Sequence, residues 1–178
     1  SLCESKNVNQ DIEFYQARDA AELISSTPKE VARLGQILIP EVPADGSGHR
    51  SLYSFRNLVE MRLSDKLARM GVSWKRISKY IDALRASYGR WLDKDGFDGW
   101  FVLDSSWNWG AGTTLNVAAY TVFKGNPQDM FIAIDIGVIK QAIRTAMDHG
   151  GDSLTDEELS ETVKQVENEG KVLKEQGS

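Results

Sequence analysis

The chain has 178 residues, 41% of them hydrophobic, and a formal net charge of −5, which is enough to bury at least one core and excludes wholesale disorder. Cys3 is the single cysteine, which excludes a disulfide framework or a cysteine metal cluster within one chain. No apolar run approaches the roughly 18 to 20 residues of a membrane span, and the opening SLCESKNVNQ lacks the positive start and apolar core of a secretory signal. A cytoplasmic protein without membrane contact is therefore expected.

Charge is unevenly distributed. Residues 17–90 carry 13 Lys and Arg against 8 Asp and Glu, whereas residues 91–178 carry 7 against 15. A basic half joined to an acidic half suggests a polyanion as partner for the first and a different partner for the second.

In chain order, a polar lead (1–16) is followed by ARDAAELI, in which Ala20, Ala21, Leu23 and Ile24 are spaced as in a short amphipathic helix. After the polar turn SST, Thr27, Pro28 and Glu30 predict the cap, first position and third position of a second helix, a capping box, with Val31 and Leu34 facing the first helix. QILIP reads as a short strand stopped by Pro40, EVPADGSGHR as a loop with a glycine-rich tip, and SLY as the returning strand. Ser54 predicts the cap of a helix over 55–70, with Phe55, Leu58, Val59, Leu63 and Leu67 at helical spacing. GVS ends it, and Ser73 caps a further helix whose apolar stripe is Trp74, Ile77, Ile81 and Leu84.

After Gly99 the period changes. WFVLD, TLNVAAYTVF and MFIAIDI read as three strands separated by the turn-rich SSWNWGAG and KGNPQD. VIKQAIRTAMDH closes this unit as a helix with Ile139, Ile143 and Met147 on one face, and from Gly150 an acidic segment follows, helical or disordered. The expected class is α+β: a unit at 17–90, a β-rich unit at 91–149 that serves dimerisation or partner binding, and an acidic tail at 150–178.

The segment from Ala20 to Leu84 resembles the MerR-like winged helix-turn-helix DNA-binding domain. The order AAEL, polar turn, EVARL, an apolar stretch ending in IP, the glycine-rich GSGHR and then YSFRNLVEMRLSDKLARMGVSWKRI carries the likeness. PQDMFIAIDIGVIKQAI further resembles the middle region of VapB-type MerR-like antitoxins. The resemblance implies a bacterial, sequence-specific, double-stranded DNA-binding transcriptional regulator, an antitoxin-like autorepressor. The wing would bring His49 and Arg50 to phosphates along the minor groove while the second helix enters the major groove. By the same resemblance Thr27, Lys29 and Arg33 on the second helix, with Tyr53 and Arg56 at the start of the third, contact backbone or base edges. A guanidinium presents a planar fork suited to phosphate oxygens.

The long dimerising helix usual in that family is absent, because GRWLDKDGFDGW interrupts the pattern before any heptad run develops. A homodimer would then be held by the β-rich unit, where Trp107 and Trp109 are candidate partner contacts. The alternative from another class is a protein-interaction adaptor that uses the winged fold as a scaffold.

Catalysis is not expected, nor is a cofactor or a metal. DKDGFDGW places Trp91 and Val102 where an EF-hand needs its first and twelfth ligands. Asp104 and Asp135 each lie on an apolar strand, as in a metal nuclease, without a third ligand at recognisable spacing.

Overall fold

A computed structural model describes residues 13–38, 51–96, 98–124 and 131–149. The expected wing tip with His49 and Arg50, the KGNPQD turn beyond Lys124 and the acidic tail lie outside these residues. The described residues form an α+β structure of six α-helices and two small antiparallel sheets.

Helix α1 (Ala17–Leu23) and helix α2 (Pro28–Ile37) are joined by a tight polar turn. The turn is fixed where the Ser26 N–H donates to the Ala21 carbonyl at 2.8 Å and where Ser25 adopts a positive φ of 53°. Thr27 caps α2 as expected, its Oγ1 accepting from the Glu30 N–H at 3.2 Å, with Pro28 in the first turn where a missing N–H costs nothing. The box is only half closed, since the Glu30 carboxylate turns to Arg33 instead. The expected strand at Gln36 and Ile37 is helix: α2 runs on through both, and the Leu38 N–H still reaches the Leu34 carbonyl at 2.7 Å. Burial of Val31, Leu34 and Leu38 on one helical face outweighs the β preference of the isoleucine-rich run.

The returning strand also pairs differently. Strand β2 (Tyr53–Ser54) bonds to strand β1 (Phe14–Tyr15), with Phe14 opposite Ser54 and Tyr15 opposite Tyr53, so the end of the polar lead supplies a strand the sequence did not announce. Ser54 then begins helix α3 (Phe55–Arg69) with a complete capping box: its hydroxyl accepts from the Asn57 N–H at 3.3 Å, and its own N–H donates to Asn57 Oδ1 at 3.2 Å. The helix ends in a Schellman motif. Gly71, at φ +88°, donates to the Ala68 carbonyl at 3.0 Å, and Val72 donates to Leu67 at 3.0 Å while both side chains enter the core.

Helix α4 (Trp74–Tyr88) buries Ile77, Tyr80, Ile81 and Leu84. Ser73 stands at its N-cap, but its side chain makes no cap bond and its carbonyl accepts from Arg76 and Ile77 instead. A single 3-10 turn follows at Gly89–Trp91.

In the second half, strand β3 (Trp100–Asp104) is central, flanked by β4 (Trp109–Gly112) and β5 (Phe131–Asp135), and helix α6 (Ile136–Asp148) closes the unit. Two expectations are corrected here. TLNVAAYTVF is helix α5 (Leu115–Phe123) and not a strand, and WGAG is strand β4 and not a turn. The cause is close packing: a Cβ added at Gly112 would lie 2.4 Å from the Ala118 backbone nitrogen, so only glycine admits the helix. Thr114 Oγ1 caps α5 by accepting from Val117 N–H at 3.3 Å.

One cluster of buried side chains runs through both halves of the chain. Leu58, Leu63, Leu67, Ile77, Ile81 and Leu84 join Phe101, Leu103, Ile134, Ile139 and Ile143 in it. Among the described residues two charged side chains, Glu60 and Lys140, are wholly buried with partners. Glu60 accepts from Arg85 Nε at 2.6 Å and Nη2 at 2.5 Å, and from Asn57 Nδ2 at 3.1 Å, tying α3 to α4. Lys140 Nζ donates to the Gly96 carbonyl at 2.8 Å and lies 3.1 Å from Asp98 Oδ1, pinning the loop before β3 onto α6.

Candidate functional site

The α1–α2 pair places residues at every fourth and third position of α2 on two opposed faces. Val31, Leu34 and Leu38 go into the core; Lys29, Ala32 and Gln36 are exposed, with Arg33 half-exposed among them. The spacing 29, 32, 33, 36 is one stripe along a helix, and it carries no acidic residue. Thr27 stands exposed at the N-terminal end of the stripe, where the first-turn N–H groups present partial positive charge.

Arg33 is held in place from two sides. Its Nε donates to Glu30 Oε2 at 2.8 Å and its Nη2 to Oε1 at 2.5 Å, while the guanidinium carbon lies 4.4 Å from the Trp74 ring centroid. The hydrogen bonds to Arg33 hold the Glu30 carboxyl below its ordinary range, against a smaller opposing effect of burial. Trp74, expected in the core, is only partly buried and serves as the platform for this cation.

Beside the stripe, a groove of roughly 620 Å³ runs between the α1–α2 turn and α3, lined by Ser25, Ser26, Thr27 and Glu30 on one wall and Arg62, Asp65, Lys66 and Arg69 on the other. Burial works against the charge of Arg62, lowering its pKa, with Asp65 opposing. Arg69 pairs with Asp65 at 2.9 Å. The basic trio was not singled out by the sequence; the available signal was its spacing of three and four on α3, masked by the apolar stripe on the other side of that helix.

The remaining site residues separate into three groups. Tyr53 is not at the surface: it is 3% exposed, and its hydroxyl stands 2.7 Å from where a Cβ of Gly35 would be. Burial raises its pKa, as expected for a phenol serving the core. Arg56 pairs with Asp93, Nε at 2.8 Å and Nη2 at 2.7 Å from the same oxygen. His49 and Arg50 lie outside the described residues.

Trp107 and Trp109, the candidate partner contacts, are both engaged within the fold. Trp107, at φ 66°, accepts on its carbonyl from Tyr80 Oη at 2.7 Å and has the Arg76 guanidinium 5.5 Å from its ring. Trp109 stacks on Phe101 at 5.8 Å and meets Tyr88 edge-on. Asp104 and Asp135 do not converge. In the ladder Asp104 lies opposite Phe131 and Asp135 opposite Trp100, at opposite ends of β3. Asp104 binds its own turn through Ser106 N–H, Asn108 N–H and Asn108 Nδ2, each at 2.8 Å, and Asp135 caps α6. Among the described residues no group of three or more His, Cys, Asp or Glu could hold a metal ion, and no helix is long and apolar enough to cross a membrane.

The class these features define is an α+β protein whose first two helices are joined by a tight polar turn. No family model matches the chain, and no curated protein matches it significantly.

Proposed function

We propose that this protein binds double-stranded DNA through α2 and its flanking basic groups and acts as a transcriptional regulator of the MerR-like winged helix-turn-helix kind, an antitoxin-like autorepressor. The observation that carries this reading is the stripe of Lys29, Ala32, Arg33 and Gln36, which presents cationic, small and amide side chains outward from the second helix of a tightly turned pair. Lys29 supplies a charge for phosphate. Gln36 carries both donor and acceptor, as adenine's major-groove edge requires, and Ala32 lets the helix approach close enough for a thymine methyl. The groove sets Arg62, Lys66 and Arg69 against Glu30 and Asp65, a small positive excess where a phosphate backbone would pass beside the helix N-terminus.

The departure at Ala32, where the family usually has arginine, moves the polar readout to Arg33 and Gln36. Arg33 is oriented by Trp74 and Glu30 before any ligand arrives, which reduces the entropy lost on contact. The test is selection of duplexes from a random pool by the full chain, followed by anisotropy titrations of the selected site against random duplex. Lys29→Ala should weaken both similarly, and Gln36→Ala should narrow the difference between them. Failure to enrich any sequence would remove the regulatory reading.

A further inference from the structure

We propose that a second copy of this chain docks on the surface made by the outer face of α5 and the open edge of β5, forming a two-fold dimer. Of the six described α-helices, α5 is the one without a single Asp, Glu, Lys or Arg. Only Ala118 of its nine residues is buried; Tyr120 is 70% and Val117 49% exposed. The apolar surface continues onto the sheet, where Phe131 is 44% exposed and meets Phe123 of α5 edge-to-face at 5.3 Å.

Strand β5 adds a directional element. Among the described residues it pairs with β3 alone, and no described strand lies on its other edge. FIAID carries neither Lys nor Pro, the usual guards of such an edge, and its one charge, Asp135, is engaged in capping α6. Antiparallel pairing of two such strands about a two-fold axis centred on Ala133 would set the smallest side chain on the axis. Ile132 would then lie opposite the second copy's Ile134, a favourable β-branched pair.

Charge and area favour a second copy over other occupants. An identical uncharged helix desolvates no ion on docking, whereas the chain's own segment after Gly150 would bring carboxylates against an apolar face. With a large aromatic side chain presenting about 150–250 Å² in full, the exposed parts of Tyr120, Phe131 and Val117 provide on the order of 300 Å² of apolar surface per copy. The strand edge and a polar rim can extend this to roughly 600 Å² a side, the lower end of specific dimers. The inference is independent of the DNA reading, though it would give the fixed pair of copies that paired half-sites need.

Sedimentation velocity of the full chain tests it. A dimer is expected at tens of micromolar. Tyr120→Lys should raise the dissociation constant at least about tenfold, because it would place a charge on the docking face of each copy, while the circular dichroism spectrum stays as in the parent. In a Cys3→Ser background, Ala133→Cys should form a covalent homodimer under mild oxidation, as opposed strand residues can bridge. Ala32→Cys on α2 should not. A monomer at about 100 μM, a dimer indifferent to Tyr120→Lys, or absence of the Ala133→Cys cross-link would each overturn the proposal. A loss of DNA binding with the dimer intact would leave it standing.

Discussion

The guanidinium of Arg33 lies 4.4 Å from the centroid of the Trp74 ring, and this contact binds the exposed face of α2 to the first turn of α4. Because Arg33 is also bidentate to Glu30, its direction is set by the protein. Both partners of the ion pair are substantially solvated, so solvent screening limits the pair to about 0.5 kcal/mol. Trp74→Ala should therefore lower duplex discrimination more than Arg33→Lys lowers stability. Thermal melts of Arg33→Lys should shift by only a few degrees, and anisotropy of Trp74→Ala should show specific and random duplexes closer in affinity. Unchanged discrimination in Trp74→Ala would show that the platform plays no part in readout.

The buried Glu60–Arg85 pair predicts a different pattern. Removing Glu60 takes a charged acceptor from the partly exposed Arg85 and from Asn57, so Glu60→Ala should cost about 1.5–3 kcal/mol, whereas an apolar pair such as Glu60→Leu with Arg85→Met should recover most of it. Urea denaturation of the two variants checks this. A double variant no more stable than Glu60→Ala would mean that the fork geometry itself holds α3 on α4.

Gly112 is where α5 comes closest to the sheet. Gly112→Ala places a methyl 2.4 Å from the Ala118 nitrogen and 2.8 Å from the Val117 carbonyl carbon, both backbone atoms that cannot swing away. The expected loss is about 1–3 kcal/mol, as for overpacking in a core, measured by chemical denaturation. A neutral result would show that α5 can lift from β4 at little cost.

Asp104 gives a pH signature. Burial raises its pKa, but the Asn108 side chain and the backbone N–H groups of Asn108 and Ser106 together outweigh that and hold the carboxyl below its ordinary 3.8. Its contribution to stability is complete above that value and declines as pH falls through the lowered one. Asp104→Asn should thus lower stability at neutral pH and make the fall between pH about 4 and 2 shallower. Parallel pH titrations of melting temperature for the two proteins provide the comparison; equal slopes would contradict this role.

The α+β class, the two helices of the turned pair and the long helices α3 and α4 were legible because period, caps and breakers agreed: Thr27, Ser54 and Gly71 each do locally what their residue type suggests. Where the reading failed, tertiary contact decided. Val117, Thr121 and Val122 favour a strand by type, yet the glycines of β4 leave room only for a closely packed helix, and Leu115, Ala118 and Val122 were spaced for one. Phe14 and Tyr15 form a strand only because Tyr53 and Ser54 supply the partner 39 residues later. The candidate site was legible in Thr27, Lys29 and Arg33, which needed only a helix to share a face. Tyr53 was misjudged because a tyrosine beside a basic loop reads the same whether its ring points out or, as here, fills the space beside Gly35. Arg62 and Lys66 went unnoticed because their relation to α2 exists only in three dimensions.

The most direct test of the central claim is the salt dependence of duplex DNA binding by the full chain. If Lys29 and the basic groups beside it meet about four to six phosphates, log K should fall against log salt with a slope of about −4 to −5, and each Lys29→Ala or Lys66→Ala change should reduce that slope by about 1. A flat salt response, or no binding to any duplex at low salt, would contradict the account and leave the exposed helix pair as a scaffold for protein contacts.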